Sequence, residues 1–209
     1  MAKILSVDVE YNSQTGSVYQ IGAAKYGNLG EIEIFDAITP VMLHDCCEMK
    51  GKKRFADTSS NILVGSFPII LQAFLDFAKD SDFILSWGCI DGIILARESE
   101  RLCLDLEKEV FSTYFDRFVN LQGIYMKRMA KGGNHLIDAL RVYGIEFFGS
   151  PHVASFDAYN TLLMAKKMIK NDKAYLSTLY GNILWGQICL PYSEWLYSED
   201  LVSVSCFCS

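Results

Sequence analysis

The sequence contains no apolar run long enough to cross a membrane. Its longest apolar region, residues 67–96, is interrupted by charged side chains at Asp76, Lys79, Asp80, Asp82 and Asp91. A transmembrane helix needs about 20 consecutive, predominantly apolar residues, so we expect a soluble chain with no membrane partner. The first three residues lead directly into the first predicted strand and leave no room for a secretory signal, which indicates a cytoplasmic protein.

The cysteine spacing is not that of a zinc site or of a disulfide framework. The chain has 7 cysteines, an odd number, and no C-x-x-C pair repeated at zinc spacing. Cys46-Cys47 and Cys206-Phe207-Cys208 offer thiols that are able to bind a metal or to react, but reduced thiols of a cytosolic protein are the better interpretation. No cysteine lies in a recognisable nucleophile turn, which disfavours a Cys/His/Asp hydrolase.

The chain also lacks a surplus of basic residues. Its formal net charge of -6 argues against a protein that grips nucleic acid by a broad basic surface. A nucleic-acid enzyme is still compatible with this charge, because carboxylates gathered around metal ions count as negative although the ions offset them. The length of 209 residues and the 51% hydrophobic composition suit one sizeable core, and no internal repeat is present.

Hydrophobic periodicity predicts an α/β domain. Five segments have the alternation or the compact apolar run of strands: residues 4–10, 18–26, 31–38, 82–88 and 115–121. Five segments have the apolar spacing of helices: one beginning at residue 67, then 89–102, 123–130, 134–143 and 153–169. We therefore predict a mixed five-stranded sheet, in which three antiparallel strands lead into two parallel strands, with helices on both faces. The acids of the third strand, among them Asp36, predict that one of its faces is solvated.

Two acids stand at the end of the first predicted strand. The apolar residues of the segment 4–10 favour an extended chain, and residues two apart on a strand point to the same face. Asp8 and Glu10 therefore point together, and like charges this close repel unless a cation lies between them. The pair indicates a divalent metal with oxygen ligands, and the alternative is a strand end that frays into solvent.

Two further acids occur where the predicted fold would bring them to the first pair. Asp91 lies in the first turn of the helix that follows the strand ending at Trp87-Gly88, where the chain leaves the carboxyl edge of the sheet. Asp157 lies near the start of the helix from residue 153, five positions after His152. A helix start favours anions, so each acid taken singly is equally well explained as a capping or surface residue.

The order Asp8-x-Glu10, then Asp91, then His152-x-x-x-x-Asp157 resembles the DEDDh family of 3'-to-5' exonucleases. That family includes RNase T, oligoribonuclease and the proofreading subunit of bacterial DNA polymerase III. Residues 20–23, Gln-Ile-Gly-Ala, resemble the family's second strand, and Ser86-Trp87-Gly88-x-x-Asp91 resembles the second motif of its Eri-type and KapD-type branch. The resemblance covers residues 1–170 and implies an RNase H-like fold. Residues 171–209 have no counterpart in the family pattern, and their aromatic residues predict a C-terminal helical extension packed on that domain.

The resemblance implies a two-metal-ion hydrolase. Asp8, Glu10, Asp91 and Asp157 would bind two Mg2+ or Mn2+ ions, and His152 would act as general base on the attacking water. The enzyme would release nucleoside 5'-monophosphates from the 3' ends of single-stranded RNA or DNA. RNA is slightly favoured, because the second motif is closest to the RNA-trimming branch. Some relatives are dimers, which makes a homodimer one alternative for the assembly.

Substrate contacts are expected from apolar and aromatic groups beside these acids. Four side chains are candidates to stack on the last base or to wedge behind it: Val9, Tyr11, Trp87 and Phe156. Upstream phosphates would meet basic side chains, and two groups are candidates: Lys127, Arg128 and Lys131, or Lys50 to Arg54 in the loop 41–66. A solvated insertion is the alternative interpretation of that loop.

The sequence departs from the family pattern at two positions. Tyr11 stands where Thr or Ser usually follows the first glutamate, and Phe156 stands where many members have an acid directly before the last aspartate. Both differences affect substrate shape more than metal binding. The alternative function is a catalytically silent RNase H-like module for binding or scaffolding, which predicts the loss of at least one of the five motif residues. All five are present.

Overall fold

The computed structural model describes residues 3–27, 30–40, 62–105, 117–128 and 135–171. Several predicted features lie outside these residues: Lys50 to Arg54, both close cysteine pairs, Lys131 and the aromatic extension from residue 172 onward. The side chain of Arg128 is also outside the description. Within the described ranges, no helix is both long and apolar enough to cross a membrane.

The described residues form six strands and five helices. The strands are β1 Ile4–Tyr11, β2 Val18–Tyr26, β3 Ile32–Ile38, β4 Leu63–Val64, β5 Phe83–Ser86 and β6 Phe118–Asn120. The helices are α1 Phe67–Ala78, α2 Asp91–Arg101, α3 Leu121–Arg128, α4 Leu136–Val142 and α5 Ala154–Asn171. Each predicted strand and helix is present, and the largest displacement is at β6, which begins three residues after the predicted start.

The strands form one mixed sheet in the order β4-β3-β2-β1-β5-β6. The pairs β1–β2 and β2–β3 are antiparallel, whereas β1–β5, β5–β6 and β3–β4 are parallel. The predicted α/β class is confirmed, but the predicted number of five strands is one too low. The additional strand, β4, pairs Leu63–Val64 with Ala37–Ile38 inside the region predicted to be loop, and two residues are too few to produce a readable alternation.

Side-chain alternation along β1 separates two layers of helices. Leu5, Val7 and Val9 are buried in a cluster that includes apolar residues of α1 and α2. The intervening residues point to the opposite face, where the Ser6 hydroxyl donates to the Ala158 carbonyl of α5 at 2.6 Å. A second buried cluster on that side joins β5 and β6 to α3, α4 and α5. Asp8 and Glu10 therefore belong to the face that α5 covers.

The first turn of α5 lies directly on Gly22 of β2. A Cβ atom at Gly22 would stand 2.1 Å from the Ala154 carbonyl carbon and 2.1 Å from the Ser155 nitrogen. Real carbon atoms do not approach backbone this closely, so any larger residue would force the helix away from the sheet. Gly22 is also the cross-strand partner of Asp8 in β1, so this contact sets how near α5 comes to the acids.

We expect Gly22→Ala to reduce the free energy of unfolding by about 1–3 kcal/mol, because the added methyl group overpacks a contact between two backbones. Urea unfolding measures this difference. The matched control is Gly123→Ala in α3, where the new Cβ would meet only the Asn120 side chain at 3.4 Å and where alanine favours the helix. Equal stability of the two variants would show that α5 is not held against Gly22.

Candidate active site

Three of the predicted acids meet at the carboxyl end of the central strands. Asp8 and Glu10 lie on β1, and Asp91 is the first residue of α2, directly after β5, which runs parallel to β1. The Val9 backbone N–H donates to Asp91 Oδ1 at 3.0 Å. This hydrogen bond joins the start of α2 to β1 between the two other acids, and Asp91 is only 5% exposed.

The fourth acid and the histidine come from the segment that leads into α5. Asp157 is in the first turn of that helix, and its Oδ2 accepts a hydrogen bond from the His152 backbone N–H at 2.8 Å. His152 has a φ of 62°, in the left-handed region that non-glycine residues rarely adopt. The Asp157 carboxylate thus holds His152 in a strained turn, and strain of this kind is concentrated at functional sites.

Glu10, His152 and Asp157 form a compact group. One candidate ligand atom from each side chain lies within 4.8 Å of those of the other two. His152 is exposed, whereas both acids are partly buried. An imidazole nitrogen this close to two carboxylates is placed either to bind a metal or to move a proton.

The remaining acids carry the electrostatic signature of a crowded anionic site. Burial raises the pKa of Asp8 well above its usual value, and the charges of Asp91, Asp157 and Glu10 raise it further. Burial also raises the pKa of Asp91 to about 6, partly offset by hydrogen bonds from Ser86 and from the Val9 N–H. The five predicted residues are therefore close enough to interact, although they come from three distant parts of the chain.

This donor set fits hard divalent cations. The four carboxylates offer oxygen ligands of the kind that Mg2+ and Mn2+ prefer, and an imidazole lies next to them. The mutual repulsion that raises the Asp8 pKa is what a bound cation would remove. The carboxylates Asp8, Glu10, Asp91 and Asp157 are thus the residues able to hold such ions.

A buried hydrogen-bond network beside the acids was not predicted. Asp36 of β3 accepts from Gln20 Nε2 at 2.8 Å and from the Ser155 hydroxyl at 2.7 Å, and Gln20 Oε1 accepts from the Ala154 N–H at 3.3 Å. Asp36 is only 8% exposed, so the predicted solvated face is correct for the exposed Glu31 and Glu33 but wrong for Asp36. Burial raises the pKa of Asp36, while the Gln20 and Ser155 hydrogen bonds lower it.

The four side chains predicted to contact the terminal nucleobase differ in their exposure to solvent. Val9 and Phe156 are only 6% and 9% exposed, because Val9 packs among α1 and α2 residues and Phe156 lies under the neighbouring Phe148 ring. Trp87 and Tyr11 are partly exposed, and Trp87 packs on Tyr125 with ring centroids 5.6 Å apart. Contact with a base stays a prediction for all four, and the exposed surface of Trp87 and Tyr11 favours these two.

Two further residues near the site were missed by sequence reasoning. Tyr19 donates a hydrogen bond from its hydroxyl to Glu10 Oε2 at 3.3 Å, and it stands one position before the Gln20 motif. Phe148 is 53% exposed, and its backbone N–H and carbonyl both bond to the Asn160 side chain at 3.0 and 2.8 Å. Phe148 follows Phe147 in a short segment without a periodic pattern, so the sequence offered no means of finding it.

Comparison with known proteins gives a match in structure alone. No family model matches the chain, and no curated protein matches its sequence. The nuclease domain of 3'hExo, a DEDDh family member, bound to rAMP, superposes with a TM-score of 0.60 at 16% identity over 81% of this chain and 92% of that one.

Two further solved structures share the fold. Cell-death related nuclease 4 (CRN-4) has a TM-score of 0.58 at 16% identity over 82% of this chain, and the chain spans 65% of it. A 3'-exonuclease in 3'-end specific recognition of a histone mRNA stem-loop has a TM-score of 0.58 at 14% identity over 81% of this chain and 64% of that one. The fold is therefore the RNase H-like fold of DEDDh exonuclease domains.

We expect Asp91→Asn to stabilise the metal-free protein above pH 6. Because the Asp91 pKa is about 6 in the folded state instead of 3.8, the folded state binds this proton more tightly, and stability falls as the pH rises between these values. Above both values the penalty is full, on the order of 3 kcal/mol. Urea unfolding in EDTA should show the variant to be more stable near neutral pH, with the difference vanishing below about pH 4.

The control for this experiment is Asp76→Asn, which removes an exposed acid from α1. Its free energy of unfolding should stay within about 0.5 kcal/mol of the wild type. A lower stability of Asp91→Asn than of the wild type near neutral pH would contradict the assignment of Asp91 to a repulsive acidic group.

Proposed function

We propose that the chain is a metal-dependent 3'-to-5' exonuclease that releases nucleoside 5'-monophosphates from single-stranded nucleic-acid ends. The observation that carries the proposal is the meeting of Asp8, Glu10, Asp91, Asp157 and His152 at one edge of the sheet. The shared fold with nuclease domains supports it. Because a fold alone does not define a function, the proposal depends on the site residues.

The four carboxylates act as the binding groups for two divalent cations, Mg2+ or Mn2+. When bound, the cations stabilise the charge that develops on the attacking and leaving oxygens of the scissile phosphate. Glu10 is held by the Tyr19 hydroxyl and Asp157 by the His152 N–H. Both carboxylates are thereby oriented before a substrate arrives, which reduces the reorganisation needed in the reaction.

His152 is the proposed general base. One of its ring nitrogens lies within 4.8 Å of a carboxylate oxygen of Glu10 and of Asp157, where an attacking water would be held, and histidine is the side chain that most often serves as a general base. His152 is also exposed, so the proton it accepts has a direct path to solvent. A catalytic base must be regenerated in each turnover, and this exposure makes that step fast.

The substrate is proposed to be an unpaired 3' end, with a slight preference for RNA. Trp87, which follows β5, and Tyr11, which packs against the cluster that contains Val9, keep partly exposed aromatic surface and are the candidates for stacking on the terminal base, which is independent of sequence. Lys127 on α3 is exposed and is a candidate for an upstream phosphate. The preference for RNA, and a place in the Eri-type and KapD-type branch, are supported by Trp87-Gly88-x-x-Asp91. A cytoplasmic location belongs to the same proposal, and a homodimer is one alternative for the assembly.

The test is degradation of 5'-labelled single-stranded RNA and DNA of equal sequence, with Mg2+, Mn2+ or EDTA. The wild type should give a ladder that shortens from the 3' end only with metal, and Asp8→Ala should abolish it. His152→Ala should reduce the rate by about 100- to 10,000-fold, as expected for the loss of a general base. The ratio of the RNA and DNA rates measures the sugar preference.

The matched control is His135→Ala, which removes the exposed histidine that precedes α4. This variant should keep the wild-type rate. Metal binding without cleavage of either strand would favour the silent binding or scaffolding module instead. Cleavage that persists in EDTA would contradict the role of the acids.

A further inference from the structure

We propose that Asp36 is a positioning residue of the metal site, which it serves through the hydrogen bonds that fix the first turn of α5. This inference rests on the proposed function. Asp36 touches neither the acids nor His152 among the contacts described, and its partners are Gln20 and Ser155. Asp36 is a buried carboxylate that has no role in the mechanism proposed above.

Asp8, Gly22 and Asp36 form one row across three strands. Asp8 of β1 is the cross-strand partner of Gly22, and Gly22 is the cross-strand partner of Asp36 of β3. Directly opposed residues point to the same face of a sheet, so both aspartates flank the glycine on which α5 rests. With adjacent strands about 4.8 Å apart, their Cα atoms are roughly 10 Å apart, about the width of a helix.

Hydrogen bonds hold the first turn of α5 on the Asp36 side of this row. The Ser155 hydroxyl donates to Asp36 Oδ2 at 2.7 Å, and Gln20 links the other oxygen of Asp36 to the Ala154 N–H. The Ala154 N–H is one of the unpaired donors that every helix leaves in its first turn. An anion at this end of a helix is also favoured by the helix dipole. We name these three side chains, Gln20, Asp36 and Ser155, the β3 clasp.

The β3 clasp determines the position of Asp157. Ser155 is held by the clasp, and Ala158 is held by the Ser6 hydroxyl of β1 at 2.6 Å, so Asp157 lies between two fixed points of the same turn. Gly22 leaves no side chain beneath this turn, so no interlocking side chain sets the lateral position of the helix there, and the hydrogen bonds at Ser155 and Ala158 serve that role. Loss of the clasp should therefore displace the Asp157 carboxylate relative to Glu10 and Asp8.

The test measures metal binding directly, by the loss of the free Mn2+ signal in electron paramagnetic resonance of the full chain. Asp36→Ala and Ser155→Ala should weaken Mn2+ binding by about 10- to 100-fold, the usual effect of removing a group that orients a ligand. Ser155→Ala removes a single hydrogen bond and covers the case in which Asp36→Ala does not fold. High Mn2+ concentration should restore much of the lost nuclease rate in both variants.

Two controls separate positioning from general destabilisation. Asp36→Asn retains an acceptor for Gln20 and a donor for the Ser155 oxygen, so its Mn2+ affinity should stay within about threefold of the wild type, less than 1 kcal/mol. Ser99→Ala removes a buried hydroxyl that donates to the Leu95 carbonyl of α2 at 2.8 Å, and it should also leave the affinity unchanged.

Wild-type Mn2+ affinity in Ser155→Ala and in folded Asp36→Ala would overturn the inference while leaving the proposed function intact. An equal loss in Ser99→Ala would overturn it as well, since the effect would then follow from stability alone. Absence of Mn2+ binding by the wild type would remove both the inference and the proposed function.

Discussion

The contact between the first turn of α5 and Gly22 is the constraint on which the site depends. A helix normally packs on a sheet through side chains, at a distance of about 10 Å between layers. Here the helix backbone meets the strand directly, because position 22 has no side chain. The close approach brings Asp157 down to the level of Asp8 and Glu10, and it also brings Ser155 within reach of Asp36.

This arrangement has an unfavourable electrostatic energy. Four carboxylates occupy one edge of the sheet, and the burial and like charge that raise the pKa values of Asp8 and Asp91 disfavour their ionised forms. The fold offsets part of this penalty with the hydrogen bonds that Asp91 accepts from the Val9 N–H and Ser86 and that Asp157 accepts from the His152 N–H. A bound cation would stabilise the ionised state of these carboxylates, so the proposed metal affinity and the lower stability of the metal-free protein would have the same cause.

The sequence was sufficient to predict the α/β fold, because it follows from local periodicity, whereas the grouping of the acids was expected only from the resemblance of their order to a family pattern. Alternation along β1 aligned Asp8 with Glu10, and the first-turn positions of Asp91 and Asp157 followed from where the helices begin. The same alternation places Val9 on the opposite face from the acids, and the structure buries its side chain there. Alternation along β3 also indicated that the Asp36 side chain points to the opposite face from those of Glu31 and Glu33. The prediction of one solvated face did not take this difference into account.

Other features depend on long-range packing and left no local signal. The two residues of β4 are too few to show a period, and the strand exists because β3 offers it an edge. The β3 clasp requires that α5 lie on Gly22, which no pattern within a single segment reveals. The left-handed turn at His152 is set by the hydrogen bond to Asp157, five residues later in the chain. Each of these was visible only once the elements were assembled.

The Val9 to Asp91 hydrogen bond joins residues 82 positions apart, and this separation has a consequence for how the site comes into existence. The four acids come from three stretches of chain: Asp8 and Glu10 lie on an antiparallel hairpin, Asp91 follows a parallel crossover, and Asp157 lies on the last described helix. No fragment that lacks one of these stretches contains the full group of carboxylates. During synthesis the full group of carboxylates therefore forms only after α5 has left the ribosome and docked on the sheet.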